Sequence, residues 1–427
     1  MDPKNIQFQN TRSFAKELDD ADSLSDFRDQ FYFPKLSGKR ATYFCGNSLG
    51  LQPKNTKQYF DEELSDWAQW GVDGHFNSTR PWFGYHKYFT ESLAKIVGAK
   101  KTEVVAMNTL TVNLHLLMIS FYRPTKTRYK IIMEAGAFPS DMYAMETQAK
   151  LAGFNPKSAV IEVKPKKGKH LIDEDDIIKT IEKHKSSVAV VIFGGVNYYT
   201  GQLFDMQRIT KAAHKVGAKC GFDLAHAVGN VPLELHNWNV DFACWCSYKY
   251  LNSGPGGVGG AYVNEKHAKN PKTPRLAGWW GYEEKTRFEM TKGFKPMASA
   301  ESWQMSNATV FNMAAHRASL DLYDQTSVKA LREKSILLTA YAEYLLELVK
   351  TENKKLAFEI ITPKEHHKRG AQLSMLFSKN GKRVFKHLEK NNIVIDYREP
   401  DVLRFAAVPM YNNFQDLYEL YACMKGF

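Results

Sequence analysis

Lys249 stands directly after an apolar run in WCSYKYLNSGPGGVGG (residues 245–260), ahead of a loop of glycines and one proline. An amine at the mouth of a sheet has two readings. It is a solvated cation just past a strand end, or, once desolvated enough to lose its proton, a nucleophile that forms a Schiff base with an aldehyde. One strand earlier the chain reads GFDLAHAVGN, with Asp223 closing a buried-looking run and His226 a turn further on. The aldehyde cofactor pyridoxal phosphate is an electron sink only while its pyridine nitrogen keeps a proton, and a neighbouring carboxylate favours that protonated form. Asp223 suits this task, and it equally suits the cap of a helix after a strand. His226 is either a brace for the cofactor or for Asp223, or an ordinary packed histidine.

Two further strand ends add to the pattern. Asn108-Thr-Leu-Thr-Val-Asn113 follows a β-branched run and opens the apolar stretch LHLLMISFY. Free amides at a helix N-terminus hold phosphate, which makes Leu110 and Thr111 the phosphate candidates; Thr109 or Thr111 as a plain N-cap uses the same amides. In AFPSD, Phe138 is the aromatic that would lie on a pyridine ring, with Pro139, Ser140 and Asp141 beside it, although alone it reads as core.

These segments need a frame that brings strand ends together. From about Val104 to Val263 short β-branched runs alternate with segments of helical periodicity, the pattern of a parallel sheet covered by helices, whose ligands sit at the carboxyl ends of the strands. After Asn307 a long helical pattern gives way to FEIITP, QLSMLF, IVIDYREP and VLRFAAVP, a smaller α+β unit. The expected division is an N-terminal segment (residues 1–65) packing with the small domain, a large cofactor-binding domain (66–307) and a C-terminal small domain (308–427).

With 427 residues, 44% hydrophobic and 24% charged, the chain has an ordinary globular balance. No stretch approaches the roughly 18 apolar residues of a membrane span, and the N-terminus lacks a secretory apolar core, so a cytoplasmic location is expected. The net charge of +12 is dispersed, with modest clusters at KPKKGKH and HHKR away from interleaved aromatics, which argues against nucleic acid. Five cysteines, mostly within apolar runs, read as reduced thiols, and the Cys244-x-Cys246 spacing does not suit a zinc knuckle, so no metal is expected.

The segments YFCGNSLGLQPK, LTVNLHLLM, AFPSD, GFDLAHAVGN, DFACWCSYKYLNSGPGG, GWWG and VLRFAAVPMYNNF resemble the kynureninase family, in that family's order, from about residue 43 to 414. The resemblance implies a fold-type I pyridoxal-phosphate enzyme, an α/β architecture with a mainly parallel sheet plus a smaller α+β domain. It implies a homodimer with shared active sites that cleaves the Cβ–Cγ bond of kynurenine or 3-hydroxykynurenine by hydrolysis. By motif, Lys249 would hold the cofactor, Tyr248 would contact its phosphate and relay protons, and Asp223 and His226 would address the pyridine edge. Leu110, Thr111 and Tyr199 would hold phosphate, Phe138 would stack, and Arg404 would clamp the substrate carboxylate. Ser48 and His75 would line the substrate pocket, with Trp279 and Asn307 arriving from the neighbouring subunit. Gly194 departs from the pattern: several relatives are expected to carry serine there, and glycine supplies no hydroxyl.

Two rivals remain at this level. A cysteine desulfurase or selenocysteine lyase shares the fold and the lysine but needs a mobile thiol, for which Cys45 is the nearest candidate. A cofactor-free scaffold or polyanion binder would leave Asp223, His226 and Lys249 without a common purpose.

Overall fold

The computed structural model describes residues 3–427; Met1 and Asp2, the start of the expected N-terminal segment, lie outside them. Seven strands form the main sheet: β1 (Val104–Ala106), β2 (Lys130–Glu134), β3 (Val160–Val163), β4 (Val188–Gly194), β5 (Lys219–Asp223), β6 (Phe242–Cys246) and β7 (Gly259–Val263). Their spatial order is β1-β7-β6-β5-β4-β2-β3. The strands are as apolar as a doubly covered sheet requires: Val191, Phe193, Phe222 and Trp245 enter one core, while Val190, Ile192, Phe242 and Cys244 enter the core on the other face.

The sheet is mainly parallel, as expected, but β7 runs antiparallel to both β6 and β1. The cause is local. Residues 247–258 contain no helix, so the chain turns back beside β6 instead of crossing over the sheet, which takes a helical connection.

The helices used below are α1 (Arg12–Asp20), α2 (Thr56–Trp70), α3 (Leu110–Phe121), α4 (Pro139–Leu151), α5 (Met206–Lys215), α6 (Val310–Tyr323), α7 (Val328–Glu352) and α8 (Phe414–Lys425). A second, antiparallel sheet has β8 (Phe358–Ile360), β9 (Gln372–Phe377), β10 (Asp396–Arg398) and β11 (Val402–Ala406) in the order β8-β9-β11-β10. It packs on α7 and α8 through Leu373, Phe405, Leu345 and Leu417. The apolar face of α6 goes elsewhere: Met313, Leu320 and Tyr323 join the core of the main sheet, so packing carries the junction between the units past residue 308.

The N-terminal segment is fastened to the second unit by polar contacts. Arg28 forks onto Asp416 at 2.7 and 2.8 Å, and Asp19 accepts the backbone N–H groups of Phe414 and Gln415 at the start of α8. Thr42 and Tyr43 pair with Ile393 and Val394, while Phe31 and Leu51 enter the core of the main sheet.

A buried carboxylate ties the far end of the main sheet together. Asp241, just before β6, accepts from His214 of α5 at 2.7 Å and His267 at 2.6 Å, and faces Lys266 and Lys219 at 3.2 and 3.6 Å. Burial alone would raise its pKa, but the two imidazole hydrogen bonds and two lysine charges together hold it far below the ordinary carboxylate range. Burial also keeps His267 below its usual value, so that ring serves the carboxylate as a neutral N–H donor.

Because its folded pKa is depressed, Asp241 contributes stability that is present above the unfolded value of about 4 and is lost on acidification. Asp241→Ala should cost about 3 to 5 kcal/mol at neutral pH, less as the pH falls below 4, as read from denaturant midpoints. A midpoint within error of the parent at pH 7 would remove this cluster from the stability of the fold.

Candidate active site

A pocket of about 180 Å³ opens at the carboxyl ends of the central strands. Its walls include Leu110 and Thr111 from the start of α3, Phe138, Ser140 and Asp141 from the start of α4, Asp223 from the end of β5, and His226, Tyr248 and Lys249. Nine of the expected cofactor contacts therefore meet although they lie far apart in sequence, because each follows a strand of one sheet. Pro139 opens α4, where a fixed φ suits the first helical position.

Lys249 Nζ approaches His226 Nε2 at 3.2 Å and lies 5.9 Å from the centroid of Phe138. Burial, then the charges of Lys249, Arg404 and Arg398, hold His226 well below its ordinary pKa. The imidazole is neutral, Nε2 accepts from the lysine, and Nδ1 carries the ring proton without a partner among the described residues. Burial pushes the Tyr248 hydroxyl up, reinforced by the neighbouring Cys246.

Asp223 accepts the backbone N–H of Ala225 at 2.8 Å. Burial raises both Asp223 and Asp141, and the two share a hydrogen bond. Asp223 has the N–H donor and the Lys249 charge in its favour, whereas Asp141 faces the negative charge of Asp223; Asp141 therefore keeps the shared proton and Asp223 the charge.

The second sheet brings Arg404 to the rim. This guanidinium is 1% exposed, donates to the Tyr198 carbonyl and to Asp396, and leaves Nε unpartnered. Asp396 also accepts from Ser48 at 2.7 Å and Arg398 at 3.0 Å. Although burial opposes it, Arg404, Ser48 and Arg398 together hold the Asp396 carboxyl below the ordinary range. Arg404 and Arg398 against a single Asp396 leave one net positive charge, enough for one carboxylate ligand.

Other expected residues lie apart from the pocket. Tyr199 is half-buried and its carbonyl accepts from Ser374, while Tyr198 takes the place in the pocket wall. His75 packs edge-on against Trp82 and contacts the Val72 carbonyl at 3.0 Å. Trp279 is 45% exposed against Phe288, and Asn307 is exposed beside Ser306. Sequence reading missed Glu134, Tyr198 and Asp396. Only Glu134 carried a signal, as an acid closing a β-branched run in the way Asp223 does.

The remaining orphan polar atoms suit the cofactor inferred from sequence. Asp141 Oδ1, Glu134 Oε2 and His226 Nδ1 are buried in the pocket without partners among the described residues, and the first turn of α3 presents free amides beside Thr111.

Known proteins place this geometry. The chain is similar to kynureninases from Flavobacterium psychrophilum (50% identical over 418 residues, 98% of each chain) and Rattus norvegicus (48% over 421 residues, 95% of this chain and 90% of that one). The chain belongs to the kynureninase family. Residues 331–424 match the model of the kynureninase C-terminal domain, and residues 81–237 that of the DegT/DnrJ/EryC1/StrS aminotransferase family. Among solved structures, the fold is similar to the cysteine desulfurase CsdA of Escherichia coli (TM-score 0.75, 18% identity, 94% of this chain and 97% of that one). The apo cysteine desulfurase of Thermococcus onnurineus NA1 gives a TM-score of 0.72 at 17% identity, over 90% of this chain and 94% of that one. The kynureninase relationship thus covers the sequence, and the desulfurase likeness covers the fold. Cys45, the nearest thiol for desulfurase chemistry, is half-buried, and burial with Asp396 pushes it up to about 12, which leaves it protonated.

Lys249→Ala should leave circular dichroism and the thermal midpoint unchanged while abolishing the visible band that forms when pyridoxal phosphate is added. A band that survives would move Schiff-base formation to another lysine.

Proposed function

We propose that this chain hydrolyses L-kynurenine, its 3-hydroxy derivative or both, with pyridoxal phosphate as cofactor, yielding anthranilate or 3-hydroxyanthranilate and L-alanine. The observation that carries the reading is the meeting of Lys249, Asp223, Phe138 and the α3 N-terminus in one pocket, in a chain half-identical to kynureninases along its length. In this reading it serves tryptophan catabolism and NAD biosynthesis, and its proposed location is the cytoplasm. Among the described residues no helix is long and apolar enough to cross a membrane.

Bound pyridoxal phosphate supplies an electron sink that acidifies first the α-carbon and then the β-carbon of the attached amino acid. Lys249 would hold the cofactor as a Schiff base, and its Nζ, once free, would take the substrate's α-proton as general base. Neutral His226 accepts a hydrogen bond from that amine without adding a competing charge. Ionised Asp223 would favour the protonated pyridine nitrogen, Phe138 would cover a ring face, and Leu110 and Thr111 would hold phosphate at the α3 N-terminus, with Tyr248 assisting. Arg404 binds the α-carboxylate, and Ser48 reaches the substrate side through Asp396. Water addition at the γ-carbonyl and rupture of the Cβ–Cγ bond then separate the aryl acid from the three-carbon amino acid.

The large unit thus carries the cofactor, and the N-terminal segment and C-terminal unit carry the carboxylate clamp. Trp279 and Asn307 lie outside the protomer's own pocket and reach the site of a second copy, which makes the working form a homodimer. The desulfurase alternative is disfavoured by the protonated, half-buried Cys45.

The deciding assay adds kynurenine and then 3-hydroxykynurenine to the holoenzyme, with the aryl acid followed by fluorescence and alanine by coupled assay. Equimolar products are expected; cofactor absorbance without product would reject the assignment. Mixed dimers of Lys249→Ala with Asn307→Ala subunits should regain part of the parental activity, at most half of the sites being intact. No recovery in verified mixed dimers would mean that each chain builds its own site.

A further inference from the structure

Glu134 takes no part in the chemistry above, yet it is only 3% exposed and lines the same pocket as Asp141, Asp223 and Lys249. Its Oε1 accepts from Asn197 Nδ2 at 3.4 Å, and the Gly194 N–H also points to the carboxyl. Oε2 is fully buried and has no partner among the described residues. A buried acid with a free oxygen is costly unless something completes its hydrogen bonding.

Gly194 ends β4 in register with Asp223 of β5, and it lies next to Glu134. A Cβ on residue 194 would come within 3.1 Å of Oε1 and 3.6 Å of Oε2. Glycine therefore leaves room beside the Glu134 carboxyl that a side chain would crowd.

Resting on the reading of this pocket as a pyridoxal-phosphate site, we propose that Glu134 is a further cofactor-binding residue, a neutral acid whose Oε2–H donates into the pocket across the space at Gly194. It supplies the hydroxyl that residue 194 lacks. The charge facing it favours the neutral form: ionised Asp223 comes from β5, while Asp141 from α4 is protonated, Asn197 is uncharged, and Lys249 lies against His226. Burial, partly offset by the Gly194 N–H, and then the Asp223 charge raise Glu134 to about 7. Because the pKa is raised, the donor is present below about 7 and is lost above it, when a second negative charge joins Asp223 opposite an anionic cofactor.

The test measures the dissociation constant for pyridoxal phosphate by equilibrium dialysis at pH 6 and pH 8.5, for the parent, Glu134→Gln and Glu134→Leu, with folding checked by circular dichroism. Glu134→Gln keeps an N–H donor that cannot ionise, so it should match the parent at pH 6 and lose at least about fivefold less affinity than the parent at pH 8.5. Glu134→Leu has no donor and should bind about tenfold more weakly than the parent at pH 6, the scale of one lost hydrogen bond. Folded Glu134→Leu with parental affinity overturns the proposal. If Glu134→Leu does not fold, Glu134→Gln decides, and a loss between the two pH values equal to the parent's overturns it. A parent that binds no pyridoxal phosphate rejects the cofactor reading itself, a result separate from either of these.

Discussion

Glu134, Asp141 and Asp223 share one small buried space at the ends of β2 and β5 and the start of α4, and three carboxylates cannot all be ionised there. How the protons are divided governs the rest of the site. Asp223 receives the Ala225 N–H and the nearby charge of Lys249, so the negative charge settles on it, and Asp141 carries a proton toward it. The same economy of charge explains His226: beside a lysine, and near Arg404 and Arg398, a buried imidazole stays neutral. The pocket thus offers one anion and one cation, Asp223 and Lys249, within electrostatic reach of each other.

The order of strands supports this arrangement. Placing β5 between β6 and β4 sets Asp223 beside Cys244 on one flank and Gly194 on the other, while β2 brings Glu134 up from the far side of β4. Lys249 leaves β6 three residues after its end, and the reversal into β7 keeps the following glycine loop short. Helices α3 and α4 start at the same edge, so their N-termini face the cavity. The proposed carboxylate clamp belongs to the other sheet, where β11 carries Arg404 directly opposite Asp396 of β10.

Much of this was legible because fold-type I chemistry sits at strand ends, and strand ends are marked in sequence by a switch from β-branched to polar residues. Lys249, Asp223, Thr111 and Phe138 each follow such a switch and each lines the pocket. Glu134 follows one too, but an acid closing a strand is commonplace, and its burial depends on a glycine sixty residues away. Tyr198 and Tyr199 differ by one place in a turn, where the side that faces the cavity is set by local backbone geometry with no periodicity to read. Asp396 was hidden for another reason: its partners Ser48, Arg398 and Arg404 come from three segments, and only the antiparallel pairing of β10 with β11 unites them. The direction of β7 was likewise invisible, because an apolar strand looks alike in either sense.

Lys249 and Arg404 are supplied by different sheets, and each is immobilised by its own neighbours before any ligand arrives. In the proposed mechanism the amino acid's amine goes to the cofactor that Lys249 anchors and its carboxylate to Arg404, so two of its four α-carbon substituents would be pinned. The side chain and the hydrogen would then divide the remaining two directions, the hydrogen toward Lys249, the proposed base. The mirror-image amino acid would present its bulk where its hydrogen should be. The spacing of a cation on one sheet from an amine on the other therefore makes the cavity a reader of handedness, with no residue devoted to that task alone.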